Sequence, residues 1–199
     1  MGFMDSRLIH LENGTPIRLR NPGIADARRI LAYRKKEAHT HDFEVVTAEE
    51  IKDDEELQRK WLFSYIQEPN KLCLIAETLE PRNSEVVGML DFYGHPWLRL
   101  AHHGTMGIGV ALAWRGRGIG RALIQTMIDW THRHPTIEKI YLGVWANNLR
   151  AQALYTSFGF IEESRRLAYF KLDHGQYVDE IVMALWVKDP HRFAYLRSS

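Results

Sequence analysis

Arg115, Arg117 and Arg121 are interleaved with Gly116, Gly118 and Gly120 in the stretch AWRGRGIGRALI, Ala113 to Ile124. Glycine removes the Cβ atoms that would hold an anion away from the backbone, and arginine adds charge-assisted hydrogen bonds. A helical apolar period begins just downstream at Leu123, Ile124, Met127 and Ile128, so the glycine amides fall at the start of a helix, where they are placed to bind phosphate. A P-loop would need a Lys-Ser/Thr pair and a longer glycine spacing, and a dinucleotide fingerprint would open an N-terminal βαβ unit. Neither pattern fits this run.

The elements that must position it are legible around it. Pro16 to Arg20 predicts a short strand, ended by Asn21-Pro22-Gly23 and followed by an amphipathic helix to about Glu37. Ala38 to Val46 shows no period and is expected to be a loop. Thr47 and Glu50 have the spacing of a capping box, predicting a second helix from there to about Gln67. Leu72 to Leu79 and Glu85 to Tyr93 predict a hairpin. Gly104 to Leu112 is the strand feeding the glycine-rich run, whose helix ends near His134-Pro135. Ile137 to Ala146 predicts a strand and Leu149 to Phe158 a short helix closed by Gly159. Glu163 to Leu172 and Tyr177 to Val187 predict a last hairpin around Asp173-His174-Gly175-Gln176. The order is ββαβαββ behind an N-terminal βαα unit, that of an α/β chain, expected to form a single domain over 1–199.

Composition excludes several classes. The 199 residues carry 26 Lys and Arg against 25 Asp and Glu, so no global field favours nucleic acid, and the aromatic residues are not interleaved with a basic stripe. With 45% hydrophobic residues the chain can build a real core. Cys73 is the one cysteine, which rules out a disulfide framework and a thiolate cluster and suits a buried, inert side chain. No signal-peptide pattern and no long apolar window is found, so a cytoplasmic chain that does not span a membrane is expected.

Arg115-x-x-Gly118-x-Gly120 matches an R/Q-x-x-G-x-G/A pattern, and Asn148-x-x-Ala151-x-x-Leu154-Tyr155 with Gly159-Phe160 follows at a second strand-to-helix junction. On these two motifs together the chain resembles the GCN5-related N-acetyltransferase family. The element order from Pro16 to Val187 agrees with that resemblance, whose sharp motifs lie between Ile108 and Phe160. It implies a twisted mixed sheet that splays between the strands 104–112 and 137–146, with acetyl-CoA as co-substrate in the gap. Ile108, Gly109 and Val110 would pair with the pantetheine amides. Arg115, Gly116, Arg117, Gly118, Ile119, Gly120 and Arg121 would hold the pyrophosphate, and Asn148 would add a cofactor hydrogen bond. Tyr155 would protonate the coenzyme A thiolate as the tetrahedral intermediate collapses, a transfer that a phenol pKa near 10 suits. The activity implied is acetyl transfer to a primary amine of a small molecule or peptide by direct attack in a ternary complex, and a homodimer is compatible with it.

Each residue also has a plainer role open to it. The arginines could form a solvated helix start, Asn148 could only cap its helix, and Tyr155 could be a half-buried aromatic. The base that must take the ammonium proton is the weakest point. Two branches of the family use a Glu at the positions of Gly143 and Gly104, and both are glycine here. His103 is the leading candidate because an imidazole titrates near neutrality. Surface exposure of His102 and His103 is the competing reading, and Asp91 and Glu37 are further candidates. The missing glutamates leave a non-catalytic coenzyme A sensor as the alternative function. His39-x-His41 with Asp42 has the look of a metal pair, but one loop with two histidines supplies too few ligands, and no metal is expected. That loop could instead cover the acceptor. Asp179, central in a strand, suggests either an edge position or a polar contact in the acceptor site.

Overall fold

The computed structural model describes residues 4–40, 43, 45–80, 84–172 and 175–188. In chain order these form β1 (Arg7–His10), β2 (Pro16–Arg20), a 3-10 turn at Ile24–Asp26, α1 (Ala27–Thr40), α2 (Glu55–Gln67), β3 (Lys71–Thr78), β4 (Val86–Gly94) and β5 (His103–Val110). After a 3-10 turn at Leu112–Trp114 come α3 (Ile119–Arg133), β6 (Lys139–Trp145), α4 (Leu149–Thr156), β7 (Ile161–Lys171) and β8 (Tyr177–Trp186). The strands pair in the order β1-β2-β3-β4-β5-β6-β8-β7. The sheet is mixed: β5 and β6 run parallel, while β2–β3, β3–β4, β6–β8 and β7–β8 are antiparallel. The α/β class read from the sequence is the class observed.

The chain folds as two compact units, Met1–Tyr93 with Gly107–Trp130, and Gly94–Met106 with Thr131–Ser199. In the first, every residue of β3 is buried, which marks it as the central strand. Strand periodicity then sorts β4 onto two faces. Gly88 and Phe92 meet α3, since a Cβ at Gly88 would lie 3.1 Å from Ile119 and the Phe92 ring sits 5.5 Å from that of Trp130. Met89 and Asp91 face the other way, toward α1 and α2, and Tyr65 of α2 donates its hydroxyl to Asp91 Oδ2 at 2.9 Å. Ala27, Ile30, Tyr33, Leu62, Ile75, Val86 and Ala111 form the apolar cluster on that side.

An ion network fastens the start of α1 to the sheet. Arg20 forks onto Asp26 at 2.7 and 2.8 Å and onto Glu77 at 2.7 and 2.9 Å, while Arg29 bridges the same two carboxylates at 2.8 and 2.9 Å. Burial pushes both carboxyls up, and the arginine bonds outweigh it, leaving Asp26 and Glu77 below their ordinary values.

In the second unit β6, β8 and β7 pair antiparallel, and the parallel ladder of β5 with β6 holds three pairs, ending at Thr105 and Tyr141. Trp145 stacks on Phe170 with ring centres 3.9 Å apart. Asp179 is not at an edge, because β8 lies between β6 and β7. Its Oδ1 accepts the amide of Ala168 at 2.8 Å, where β7 bulges and Ala168 takes a φ of +51°.

Three expectations are revised. α1 runs on to Thr40, so the first residues of the supposed loop from Ala38 are helical. Only one half of the Thr47–Glu50 capping box forms, with Glu50 Oε2 accepting from the Thr47 amide at 2.8 Å, and it closes only a turn. α2 begins instead at Glu55, where Asp54 caps the Leu57 amide at 2.9 Å. A strand at Arg7–His10, for which the sequence shows no pattern, pairs with β2. His41, Asp42, Asp173 and His174 lie outside the described residues. No helix among those described is long and apolar enough to cross a membrane, and no group of three metal-ligating side chains is found among them.

Candidate active site

In the first unit the glycine-rich run forms a turn into α3. Gly116 and Gly118 adopt φ of +75° and +89°, a region that L residues other than glycine enter only with strain. A Cβ built on Gly118 would meet nothing within 4 Å, so the space in front of this backbone is open. The amides of Ile119 and Gly120 belong to the first turn of a 15-residue helix, which has no preceding carbonyl of its own to receive them. Open space, positive φ and helix-start amides together fit a diphosphate. Arg115 reaches back to the Val110 carbonyl at 3.1 Å, Arg117 lies over the Trp114 ring at 5.2 Å, and Arg121 is exposed.

The same unit holds a cavity of about 290 Å³. Gly107, Ile108 and Gly109 of β5 form one wall, Met89 and Asp91 of β4 another, and Tyr33, Arg34 and Glu37 of α1 with Trp61 of α2 the rest. Ala38, Val46 and Ile51 complete the lining.

Helical spacing explains the arrangement on α1. Ala27, Ile30, Tyr33 and Glu37 fall on one face, and the first three enter the apolar cluster. Glu37 continues that stripe with a carboxylate and is 4% exposed. Asp91 does the same on β4, where the pleat would otherwise place an apolar residue. Its carboxyl is pushed up by burial against the opposing pull of the Tyr65 hydroxyl and of Arg34, and its Oδ1 lies 3.1 Å from where a Cβ on Gly107 would stand. The Tyr65 phenol in turn is pushed well up, by burial and by Asp91. Arg34 Nη1 donates to Gln58 Oε1 at 3.0 Å.

Cys73 is buried in β3 beside Asp91, and burial raises its thiol well above the ordinary value, so it is a poor nucleophile. This setting gives no cause to invoke an acetyl-cysteine step.

The remaining sequence-derived residues lie in the second unit. Asn148 caps α4, its Oδ1 accepting from the Ala151 amide at 3.1 Å. Tyr155, 7% exposed, packs near Phe160 with ring centres 5.9 Å apart, and burial pushes its phenol up to about 12. His103 packs edge-on against His95, His102 and Tyr141 at 4.8, 4.7 and 5.1 Å. Burial, followed by the charges of His102, His95 and Lys139, lowers its pKa to about 4. An imidazole so depressed is neutral at physiological pH but a weak base, since proton transfer works best from a group titrating near the working pH.

Glu180 of β8 occupies the space over Gly143, where a Cβ would lie 2.0 Å from its Oε1. Its carboxyl is pushed up by burial and pulled back by Arg166, whose Nη1 is 2.8 Å away. The position of one missing family glutamate is thus filled by a carboxylate from the neighbouring strand.

In the sequence Asp91 and Glu37 stand only as further candidates, and Tyr33, Arg34 and Trp61 are not singled out at all. The signal available was a carboxylate breaking an otherwise apolar period, on α1 and again on β4.

Residues 35–160 match the family model described as the acetyltransferase (GNAT) family, and the chain belongs to that family. It is 32% identical over 102 residues to the L-amino acid N-acetyltransferase AaaT of Escherichia coli (strain K12), a match covering 51% of this chain and 62% of the relative. It is 37% identical over 78 residues to the ribosomal protein bS18 alanine N-acetyltransferase of the same strain, covering 39% of this chain and 51% of that one. These matches span between about half and three fifths of the relatives' lengths. A GNAT-family acetyltransferase from Streptococcus pneumoniae superposes with a TM-score of 0.80 at 20% identity, over 86% of this chain and 99% of that one, a likeness of fold.

Proposed function

We propose that the chain transfers the acetyl group of acetyl-CoA to the primary amine of a small molecule, by direct attack within a ternary complex. The observation that carries this is the shared wall: Gly107, Ile108 and Gly109, on the strand assigned to the pantetheine amides, also line a cavity furnished with two carboxylates. An amine in that cavity would approach a thioester held along the same backbone. The ladder with β6 ends at Thr105, which leaves Ile108 to Val110 outside it and suits them to pairing with a ligand. Acetyl-CoA, when bound, supplies an activated acetyl thioester.

The protein's own work is placement and proton handling. Gly116 to Arg121 would anchor the diphosphate. The amine enters as an ammonium ion, and Asp91 in its ionised form would take the first proton. A C–N bond forms and the C–S bond breaks, the departing sulfur takes one proton from Tyr155, the second proton of the nitrogen passes to water, water restores the phenol, and Asp91 returns its own proton to water. Tyr155, held protonated by its burial, is assigned the donation to sulfur on the strength of the signature in which it stands. Asp91 replaces His103 as the preferred base in this scheme, because its pKa is moved toward the working pH and that of His103 away from it.

The alternative of a non-catalytic coenzyme A sensor drew on the glycines at 104 and 143. The carboxylates of Glu37 and Asp91 supply what those positions lack, and they favour the catalytic reading. Isothermal titration with acetyl-CoA, paired with thiol-release assays over an amine panel, tests it. Binding that is lost in a Gly118→Glu, Gly120→Glu variant, together with turnover of at least one amine, is expected. Binding without turnover of any amine would return the sensor to favour, and a folded protein that does not bind acetyl-CoA would remove both.

A further inference from the structure

Resting on the acetyl-transfer reading, we propose that the occupant of the acceptor cavity is a free α-amino acid with an uncharged side chain, its carboxylate on Arg34 and its ammonium group between Glu37 and Asp91.

The cavity mixes charges of both signs. Arg34 supplies a guanidinium, and Glu37 and Asp91 supply carboxyl groups, all lining about 290 Å³. Arg34 and Glu37 are three residues apart on α1, which sets them on one face with about 5–6 Å between Cβ atoms. A molecule that spans them must itself be short and carry opposite charges close together. Gln58 takes one arm of the Arg34 guanidinium, and the planar fork has further donors suited to two parallel bonds with a carboxylate. Between the charged groups the lining is apolar: Met89, Trp61, Val46 and Ile51 offer a surface for a neutral side chain and no partner for a third charge.

Size and charge weigh against the other amine classes. About 300 Å³ is the lower end of ligand cavities, which suits a compact solute better than a chain segment. A polyamine would bring a second cation toward Arg34 in a site withdrawn from water, where like charges repel strongly. A peptide N-terminus would set a neutral amide against Arg34, giving up the charge-assisted fork that a carboxylate makes there. A polar site built for a group rejects the analogue lacking it more sharply than an apolar pocket rejects one methylene.

The test compares matched acceptors on the intact protein. Thiol release from acetyl-CoA is measured with neutral free L-amino acids, the same amino acids as C-terminal amides, the corresponding decarboxylated amines, a polyamine and a short peptide. The free amino acids should exceed their amides by about 10- to 100-fold in kcat/KM, the value of one charge-assisted contact. Arg34→Gln should abolish that preference, raising KM for the amino acid and leaving KM for the amide unchanged. Acetyl-CoA affinity by titration, which lies with other residues, should be retained by this variant and reports that it is folded. Equal or better use of amides, polyamine or peptide by the wild type overturns the assignment while leaving acetyl transfer intact, and so does a preference that survives Arg34→Gln. Acetyl-CoA binding with no acceptor used at all overturns the assignment and the acetyl-transfer reading together.

Discussion

Asp91→Asn changes one oxygen of a half-buried carboxyl to an amide and leaves the shape of the cavity unaltered. The Tyr65 hydroxyl that bonds Asp91 Oδ2 at 2.9 Å can donate to the asparagine oxygen, so the β4–α2 contact survives. Stability should change by less than about 1 kcal/mol, because the exchange also removes the cost of a charge withdrawn from water. Activity should change far more. A positioned base contributes about 10²- to 10⁴-fold, equivalent to about 3–5 kcal/mol at 1.36 kcal/mol per decade. The sign of the pH dependence follows from the shift. Burial raises the Asp91 pKa, the ionised form is the working base, and activity is therefore lost as pH falls through a value above the ordinary aspartate range near 3.9. The assay is kcat/KM for the acceptor from about pH 4, the ordinary aspartate value, to about pH 9, with acetyl-CoA saturating. The wild type should show an acidic arm above the ordinary aspartate range, and Asp91→Asn should lose both the arm and the rate. His103→Gln, which alters a group titrating near 4, should keep the arm in place. An Asp91→Asn enzyme with wild-type kcat/KM and an unmoved acidic arm would refute the assignment and direct attention to Glu180.

Tyr155→Phe should lower kcat about 10²-fold without moving the acidic arm, since a phenol at about 12 stays protonated throughout the assay range; full kcat across pH would remove Tyr155 as the acid. Glu77→Gln should cost about 2–3 kcal/mol in urea unfolding, below the range for breaking a fully buried pair because the Arg20 and Arg29 side chains remain 23% and 32% exposed. The folded pKa values of Asp26 and Glu77 lie below their unfolded ones, so wild-type stability should be complete above about pH 5 and fall as pH drops through the depressed values, with a smaller loss in the variant. Gly143→Ala should destabilise the second unit by about 1–2 kcal/mol, since its Cβ would stand 2.0 Å from Glu180 Oε1 and force that carboxylate off Arg166. In a double-mutant cycle with Glu180→Ala most of that cost should vanish, and strict additivity would show the two positions to be uncoupled.

The parts of the fold that could be read from sequence are those where local chemistry and tertiary demand agree. The stripe from Leu123 to Trp130, the buried strand at Lys71–Thr78 and the glycine turn at 116–118 each satisfy their own period and their neighbours at once. Elsewhere two local signals compete and packing decides. Thr47–Glu50 and Asp54–Leu57 both make side-chain bonds to backbone amides at about the same length, yet only the second is followed at once by residues with a face to bury, Gln58 and Leu62, and the helix starts there. Arg7–His10 has too few residues to show a period, and its strand exists only because β2 offers an unpaired side. The candidate phosphate cradle was legible because its glycines and arginines are neighbours in the chain itself. The cavity proposed for the acceptor was not, since its lining comes from α1, α2, β4 and β5, and no spacing in the sequence brings Arg34 to Asp91.

What the sequence does hold for that cavity is a contradiction. Glu37 on α1 and Asp91 on β4 sit where helical and strand periods call for apolar side chains, which would cost far less to withdraw from water. Asp26 and Glu77 are withdrawn from water too, but Asp26 has two arginines on it and Glu77 three, and both have a pKa driven down, as expected of carboxylates whose task is to stay charged. Asp91 has a phenol for a direct partner, and its pKa is driven up. Asp26 and Asp91, two aspartates of one unit pushed in opposite directions, sit in unlike surroundings, and those of Asp91 suit the base role proposed for it, because a group that exchanges a proton near neutral pH is served by the environment that a stabilising ion pair avoids.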